Sequence, residues 1–428
     1  MKNKLKEISK KPFIRNVVIL VSGTAAAQAV SMALSPIITR LYGPEAFGLM
    51  GAFMAIVGIV VPIAALTYPI AIVLPKRDQD AKGLIRLSLI ITTILSMISL
   101  ILLLLFNKQI INIFNLKEIG TYLYLIPLVI IFAGLMQVAE QWLIRTKQFS
   151  INARVTFLHS LIINGSKVGI GFLNPVAAVL VVLSACGNGL RAAMMIMFAK
   201  KSSYQMDTQL KEEKKNLRVL AKEHYDFPLY RAPEVFLNAV SQGLPVLMLT
   251  AFFGPASAGF YTIGRTVLNV PSELIGKSVG DVFYPRIAEA SNKKENVTAL
   301  IKKATLALAG IGILPFGLVI LFGPFLFSFV FGADWVIAGE YARWIALWSF
   351  FGFMNRPSVR ALPVLFAQRF HLIYTIIMLV TRLGVLAIGY YVFSSDLVAI
   401  ALFGISGAIL NFGLITITLK ISRQRMVK

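Results

Sequence analysis

Nine basic residues sit where basic residues are hard to accommodate. Lys167, Arg191, Arg231, Arg265, Lys277, Arg343, Arg356, Arg360 and Arg382 all fall inside long apolar windows, which hold the acids Glu140, Glu234, Glu273 and Asp281, with Glu340 at the edge of one. In hydrocarbon a central Arg or Lys costs ~2.5–3.5 kcal/mol, so it belongs in a bundle interior or an aqueous cavity unless its stem reaches the boundary. Arg231, Lys277, Glu140 and Arg343 are near enough to window ends for that escape. Arg191, Arg265, Arg356 and Arg382 are two or more turns from either end, and Lys167, five residues from the end of its window, is grouped with them. Arg265 has no acid one helical turn away, and a planar guanidinium so placed suits an anion, phosphate best. Glu273, Lys277 and Asp281 follow at i, i+4 and i+8, on one helix face, so Lys277 can pair in both directions. Charge pairing or ion coupling is open to that trio and to Glu234.

Other chemistry is missing. His159, His224 and His371 are scattered, and the single cysteine, Cys186, lies in an apolar run, so neither a metal centre nor a disulfide framework is expected. There is no GxxxxGK[ST], no nucleophile elbow and no HExxH, and no soluble segment large enough to bind nucleotide. The expectation is a protein without cofactor or metal, and not an enzyme.

The elements that must position these charges follow from composition. Of 428 residues 57% are hydrophobic and 14% charged, against about 25% charged in soluble domains. An all-α integral membrane protein is expected. Apolar windows bounded by charges and Gly/Pro turns give twelve candidate transmembrane helices. The first six are at 14–39, 46–74, 87–106, 122–144, 153–172 and 175–199, and the second six at 227–253, 257–283, 304–331, 338–364, 370–393 and 397–419. Lys2 to Lys11 followed by an apolar run resembles a cleavable leader, but the run continues past Ala25 to Ile38, which implies a retained first helix. Prolines at 62 and 69, at 228, 233 and 245, and at 315 and 324 should kink their helices.

Outside the windows or within their first two residues, 30 Lys and Arg residues fall on one set of loops and termini, and only Arg40, Lys108 and Lys117 on the other. Basic residues accumulate on the cytoplasmic side, so both termini are expected there. The net charge of +23 is then mostly topological bias, not a nucleic-acid footprint. The one long polar stretch, 200–226, is a basic cytoplasmic linker between lobes at 1–199 and 227–428.

The lobes echo each other. "AVSMALSPIITRLYGPEAFG" at 29–48 returns as "AVSQGLPVLMLTAFFGPASAG" at 239–259. Each copy covers the first helix of its lobe and the turn beyond. Because six is even, both copies cross in the same direction, which predicts two parallel six-helix bundles.

With "SGTAAAQAVSMALSPIITRLYGPEAFG" at 22–48, "FPLYRAPEVFLNAVSQGLPVLMLTAFFGPASAGFYTIGRTVLNVPSELIGKSVGDVFYPRIAEAS" at 227–291 and "FGADWVIAGEYARWIAL" at 331–347, nearly the whole chain resembles the polysaccharide-transporter family. These are flippases for lipid-linked oligosaccharides, in the MOP superfamily that also holds MATE multidrug exporters and the lipid II flippase. The resemblance implies a central cavity opening alternately to each side of a bacterial inner membrane. It implies a cargo of undecaprenyl diphosphate carrying a short glycan, moved outward for O-antigen or capsule. It also implies a polysaccharide polymerase and a chain-length regulator as partners. By helix and depth, the cationic cavity falls to Arg265, Arg356 and Arg382, with Arg191, Lys167 and Arg360. Glycan contacts would fall to side chains such as Tyr261, Gln242, Asn238 and Asn164. A MATE-type cation antiporter and a lipid II flippase are the alternatives.

A tag inserted between Lys211 and Lys222 should be reachable only from the cytoplasm; labelling of that site from outside intact cells would refute the topology.

Overall fold

Glycines and prolines decide where the apolar windows bend, break or continue. A computed structural model describes residues 12–199, 216–272, 277–293 and 295–426. All regular elements among them are helical, and the chain divides into two compact units, Met1–Gly243 and Leu244–Lys428.

In the first unit α1 spans Pro12–Val60. At 1.5 Å per residue its 49 residues would reach ~74 Å if straight, more than twice the ~30 Å of a hydrocarbon core. Gly43 breaks it, with φ 70° and ψ 173°, a conformation nearly closed to any residue with a Cβ. The second window was expected to stay helical to residue 74. Instead α1 stops at Val60, and two 3₁₀ turns follow, Val61–Ile63 and Tyr68–Val73, separated by Leu66 and Thr67 at positive φ. Pro62 and Pro69 lack the N–H that an α-helix needs, so the chain breaks where kinks alone were anticipated. Next come α2 (Asp78–Phe114), a 3₁₀ stretch at Lys117–Leu125, α3 (Ile126–Arg145), α4 (Phe149–Gly171) and α5 (Ala177–Phe198).

Helix α1 packs along α4 and α5, and α3 lies against α2 and α5. Small residues set the spacing. A Cβ at Gly23 would come within 2.6 Å of the Ala153 methyl, and one at Gly134 within 2.3 Å of Thr92 Oγ1. Such contacts let helices approach where burial from lipid gains little.

The end of the linker forms α6 (Leu217–Glu223), capped by the Asn216 side chain, which accepts from Arg218 N. Leu220 is buried among Tyr68, Ala71, Ile72, Ala81, Leu84 and Val138, and Tyr68 donates to the Ala221 carbonyl at 3.1 Å. Helix α6 therefore belongs to the first unit. Residues 200–215 lie outside the described residues. A π-helical turn at Phe227–Arg231 leads into α7 (Ala232–Phe253), within which the unit boundary falls.

The second unit continues with α8 (Pro255–Pro271), α9 (Lys277–Asn292), α10 (Val297–Phe331), α11 (Val336–Met354), α12 (Arg356–Ala361), α13 (Gln368–Tyr391) and α14 (Asp396–Met426). Window 257–283 thus spans parts of two helices, and window 338–364 is interrupted at Asn355, just before Pro357. Helix α11 packs against α8, α10 and α14, and α13 against α14. Gly254, at φ 92° and ψ 173°, adopts nearly the backbone of Gly43, so the sequence echo is a structural one at the turn.

The outer surfaces are apolar. On α10, Leu306, Ile313, Leu314, Leu321, Phe325 and Phe329 are exposed, while Phe316 and Phe327 are buried. Polar side chains turn inward: Thr298 and Ser422 share a hydrogen bond at 2.8 Å, and Ser96 donates to the Pro127 carbonyl at 2.7 Å. Eight helical segments among the described residues are long and apolar enough to cross a membrane.

Gly43→Ala and Gly254→Ala should each destabilise the protein by ~1–3 kcal/mol, because Ala cannot hold their backbone without strain. Gly58→Ala, at a helical position with open space around it, should be tolerated. Thermal unfolding of the purified variants checks both.

Candidate functional site

In the first unit the polar side chains of α4 lie three or four residues apart, so they share one face: Asn152, Thr156, Ser160, Asn164 and Lys167. Ser160 donates to the Ala27 carbonyl at 2.8 Å, Ser31 and Ser160 are 3.0 Å apart, and Asn164 donates to Ser31 Oγ at 3.1 Å. The Asn164 amide is thus committed to packing α4 on α1. Lys167 sits four residues before the α4 terminus at Gly171, little more than one turn, which agrees with the end of its sequence window at 172 and is too shallow for a deep intramembrane charge. Its Nζ approaches Met50 Sδ at 3.9 Å, and its carbonyl accepts from the Tyr42 hydroxyl at 2.8 Å.

Arg191, on α5, meets the opposite end of α4. It donates to Asn152 Oδ1 and Thr156 Oγ1, each at 3.4 Å, and lies 3.6 Å from a carboxylate oxygen of Glu140 on α3. All these contacts are long, and Arg191 Nε is buried with no hydrogen-bond partner. The structure thus gives Arg191 an acid that sequence spacing did not reveal, and separates it from Lys167 by most of the length of α4.

In the second unit Arg382, on α13, lies over the rings of two other helices. Its Cζ is 4.6 Å from the Trp348 centroid on α11 and 5.7 Å from that of Phe403 on α14. Trp348 and Phe403 meet edge to face at 5.3 Å, and Tyr261 of α8 meets Phe403 likewise at 6.1 Å. Arg265, one turn along α8 from Tyr261, is within electrostatic range of Arg382. Arg382 is nine residues from the α13 terminus at Tyr391, ~14 Å by helical rise. Gly407 makes room for this arrangement, since a Cβ there would come within 2.6 Å of Trp348 Cδ1.

Arg356 opens the short α12 and is partly buried, whereas Arg360, one turn on, is exposed. The preceding Asn355 donates to Asn411 Oδ1 at 3.1 Å, and Asn411 to the Gly407 carbonyl at 2.7 Å. One stretch of α14 thus supports both the Trp348 contact and the entry to α12. Glu234 pairs with Arg231 at 2.8 Å, both exposed. Glu273 lies outside the described residues, as do the side chains of Lys277 and Asp281. Among the described residues no three His, Cys, Asp or Glu side chains are grouped to hold a metal. Of the glycan candidates, Tyr261 is fully buried, while Asn238 and Gln242 are exposed. Sequence reasoning missed Trp348 and Phe403, because no local spacing links them to an arginine on another helix.

These helices define a class, a multi-pass membrane protein. The chain belongs to the polysaccharide biosynthesis protein family, whose model matches residues 37–339. Among proteins of curated function none matches the sequence. Solved structures share the fold. An inward-facing MATE family multidrug transporter of the MOP superfamily is 14% identical, with TM-score 0.73, over 94% of this chain and 98% of its own. The lipid II flippase MurJ, inward closed, is 15% identical, with TM-score 0.70, over 96% and 91%. A MOP superfamily transporter from Pyrococcus furiosus, described as having a binding pocket of reverse polarity, is 14% identical, with TM-score 0.61, over 96% and 95%. At such identities the likeness establishes the MOP fold.

Because the Glu140–Arg191 contact is long and the two side chains are 31% and 25% exposed, its coupling should not exceed about 1 kcal/mol. A double-mutant cycle with Glu140→Gln and Arg191→Gln, read by thermal unfolding, measures it; several kcal/mol would mean a dry, closed pair.

Proposed function

We propose that this protein flips an undecaprenyl-diphosphate-linked oligosaccharide from the cytoplasmic to the outer leaflet of a bacterial inner membrane, for O-antigen or capsule synthesis. The observation that carries this reading is the intramembrane charge: nine basic residues in apolar windows against four acids, leaving aside Arg15, Arg154 and Glu340 at window edges. Membership of a polysaccharide biosynthesis family supports the glycan, and the MOP fold supports alternating access. In this reading α1 crosses twice about Gly43, and α2 to α5 complete a six-helix lobe. Helices α7, α8 with α9, α10, α11 with α12, α13 and α14 make the second lobe. The lobes, 1–199 and 227–428, are parallel bundles joined by the cytoplasmic linker 200–226, with both termini cytoplasmic. Arg265, Arg356 and Arg382, with Arg191, Lys167 and Arg360, bind the anionic cargo, and Glu234, Glu273, Lys277 and Asp281 serve charge pairing or ion coupling. A polymerase and a chain-length regulator receive the product.

An inside-negative potential moves an anion outward by ~2.3 kcal/mol per charge per 100 mV, so the field assists the proposed direction. A MATE-type cation exporter needs free carboxylates for its cargo. In the lobe 1–199 the acid within an apolar window, Glu140, already faces Arg191, which favours the anionic reading. A lipid II flippase would use the same diphosphate chemistry.

Replacing Arg265, Arg356 or Arg382 by Ala should lower surface polymer strongly at unchanged protein abundance, replacement by Glu should abolish it, and Lys should rescue in part. Arg286 and Lys293 serve as controls. Arg286 is exposed, and its hydrogen bond holds the Glu295 carboxyl below its usual range, so neutralising it should leave transport largely intact. Normal polymer from a well-expressed triple Ala variant would refute the anionic cargo.

A further inference from the structure

We infer that Tyr261 and Arg382 together form a two-donor seat for one phosphate group of the cargo, and that Trp348 is the residue that positions the guanidinium. This inference rests on the diphosphate-cargo reading above and adds to it a hydroxyl and an aromatic support.

A buried donor without an acceptor costs ~1–3 kcal/mol. The second unit keeps two such groups around one ring, Phe403: the Nε of Arg382 and the hydroxyl of Tyr261 are both buried with no hydrogen-bond partner. Tyr261 is 1% exposed, so its hydroxyl finds no bulk water in this conformation, and the cargo reaches it in a more open state of the alternating-access cycle. Among the described residues no carboxylate pairs with Arg382, and its charged neighbour Arg265 has the same sign. Two unspent donors and a local positive potential define an acceptor-rich anion, and the oxygens of a phosphate meet that requirement.

The aromatic rings explain how the guanidinium stays charged there. A carboxylate partner would stabilise Arg382 but also neutralise it and compete with the cargo. Ring faces attract a cation through their quadrupole while leaving its N–H edge unoccupied. Trp348, at 4.6 Å, is the closer of the two rings and is locked in place by its contact with Gly407. The comparison with Arg191, which faces Glu140, is internal to the molecule: one arginine is held by an acid, the other by rings.

The test uses the purified full-length protein in detergent, with farnesyl diphosphate as probe, binding read by calorimetry and by intrinsic fluorescence. Tyr261→Phe removes only the hydroxyl. It should weaken binding about tenfold or more, as for a hydrogen bond to a charged group, while the melting temperature stays level or rises, because an unsatisfied group has gone. Trp348→Leu should weaken binding about tenfold through the lost cation–π contact. Trp348→Phe should retain most affinity yet lose the fluorescence change. Wild-type affinity in both Tyr261→Phe and Trp348→Leu, with binding lost in Arg382→Ala, would overturn the seat and leave the cargo reading standing. Failure of the wild-type protein to bind the probe, together with normal surface polymer from the triple arginine variant, would overturn the cargo reading and the seat with it.

Discussion

In hydrocarbon a polar group must find its partner inside the protein, and most of this structure's departures from plain helix answer that demand. Where Pro62 ends α1, the Val61 carbonyl accepts from Gln137 Nε2 at 2.8 Å, and Thr67, at positive φ, donates to the Phe227 carbonyl at 3.0 Å. Arg145, nearly buried, donates to the Pro75 and Ile72 carbonyls and to Asp78, gathering a strand of irregular backbone that has no ladder of its own. The irregular segment between α1 and α2 is thus a set of carbonyls held by two side chains of α3, Gln137 and Arg145, and tied by Thr67 to the backbone at Phe227. Its order depends on those donors more than on local propensity.

The same demand sorts the charges. Arg191 meets it with an acid and two neutral acceptors, Arg343 with the Ile320 carbonyl and Glu340, and Arg382 with rings. The first two solutions reduce the local field and the third preserves it. A count of basic residues in apolar windows therefore overstates the positive potential available to a ligand. What matters is how many of those residues are held without being neutralised, and side-chain geometry alone separates the two kinds.

Much of the fold was legible in the sequence, for physical reasons. Long apolar windows and the asymmetry of Lys and Arg marked the helices and their loops. The paired Gly-Pro turns proved to be paired backbone geometries, because φ near +80° with extended ψ leaves Gly as almost the sole choice at residues 43 and 254. The ends of helices were less legible. Window 46–74 gave no sign that its last third is 3₁₀, since Pro62 and Pro69 are compatible with a kink as well as a break. The burial of Leu220 was hidden by its setting in a basic stretch, where one apolar residue in a polar run reads as surface. The candidate site was legible by residue type and not by partnership. Arg382 and Arg191 looked alike in sequence and differ entirely in what touches them, because helix-to-helix contacts have no fixed spacing along the chain.

The polar face of α4 has a consequence for how the protein is made. With Asn152, Thr156, Ser160, Asn164 and Lys167 on one side, this helix is not among the eight segments apolar enough to be recognised as membrane-crossing by themselves. Its hydrogen bonds run to Ala27, Ser31 and Tyr42 of α1, which leaves the ribosome more than a hundred residues earlier. A segment that carries so many polar groups partitions into lipid less readily than its neighbours, and hydrogen bonds to α1 offset part of that cost once α1 is in place. The order of synthesis, α1 before α4, suits that dependence.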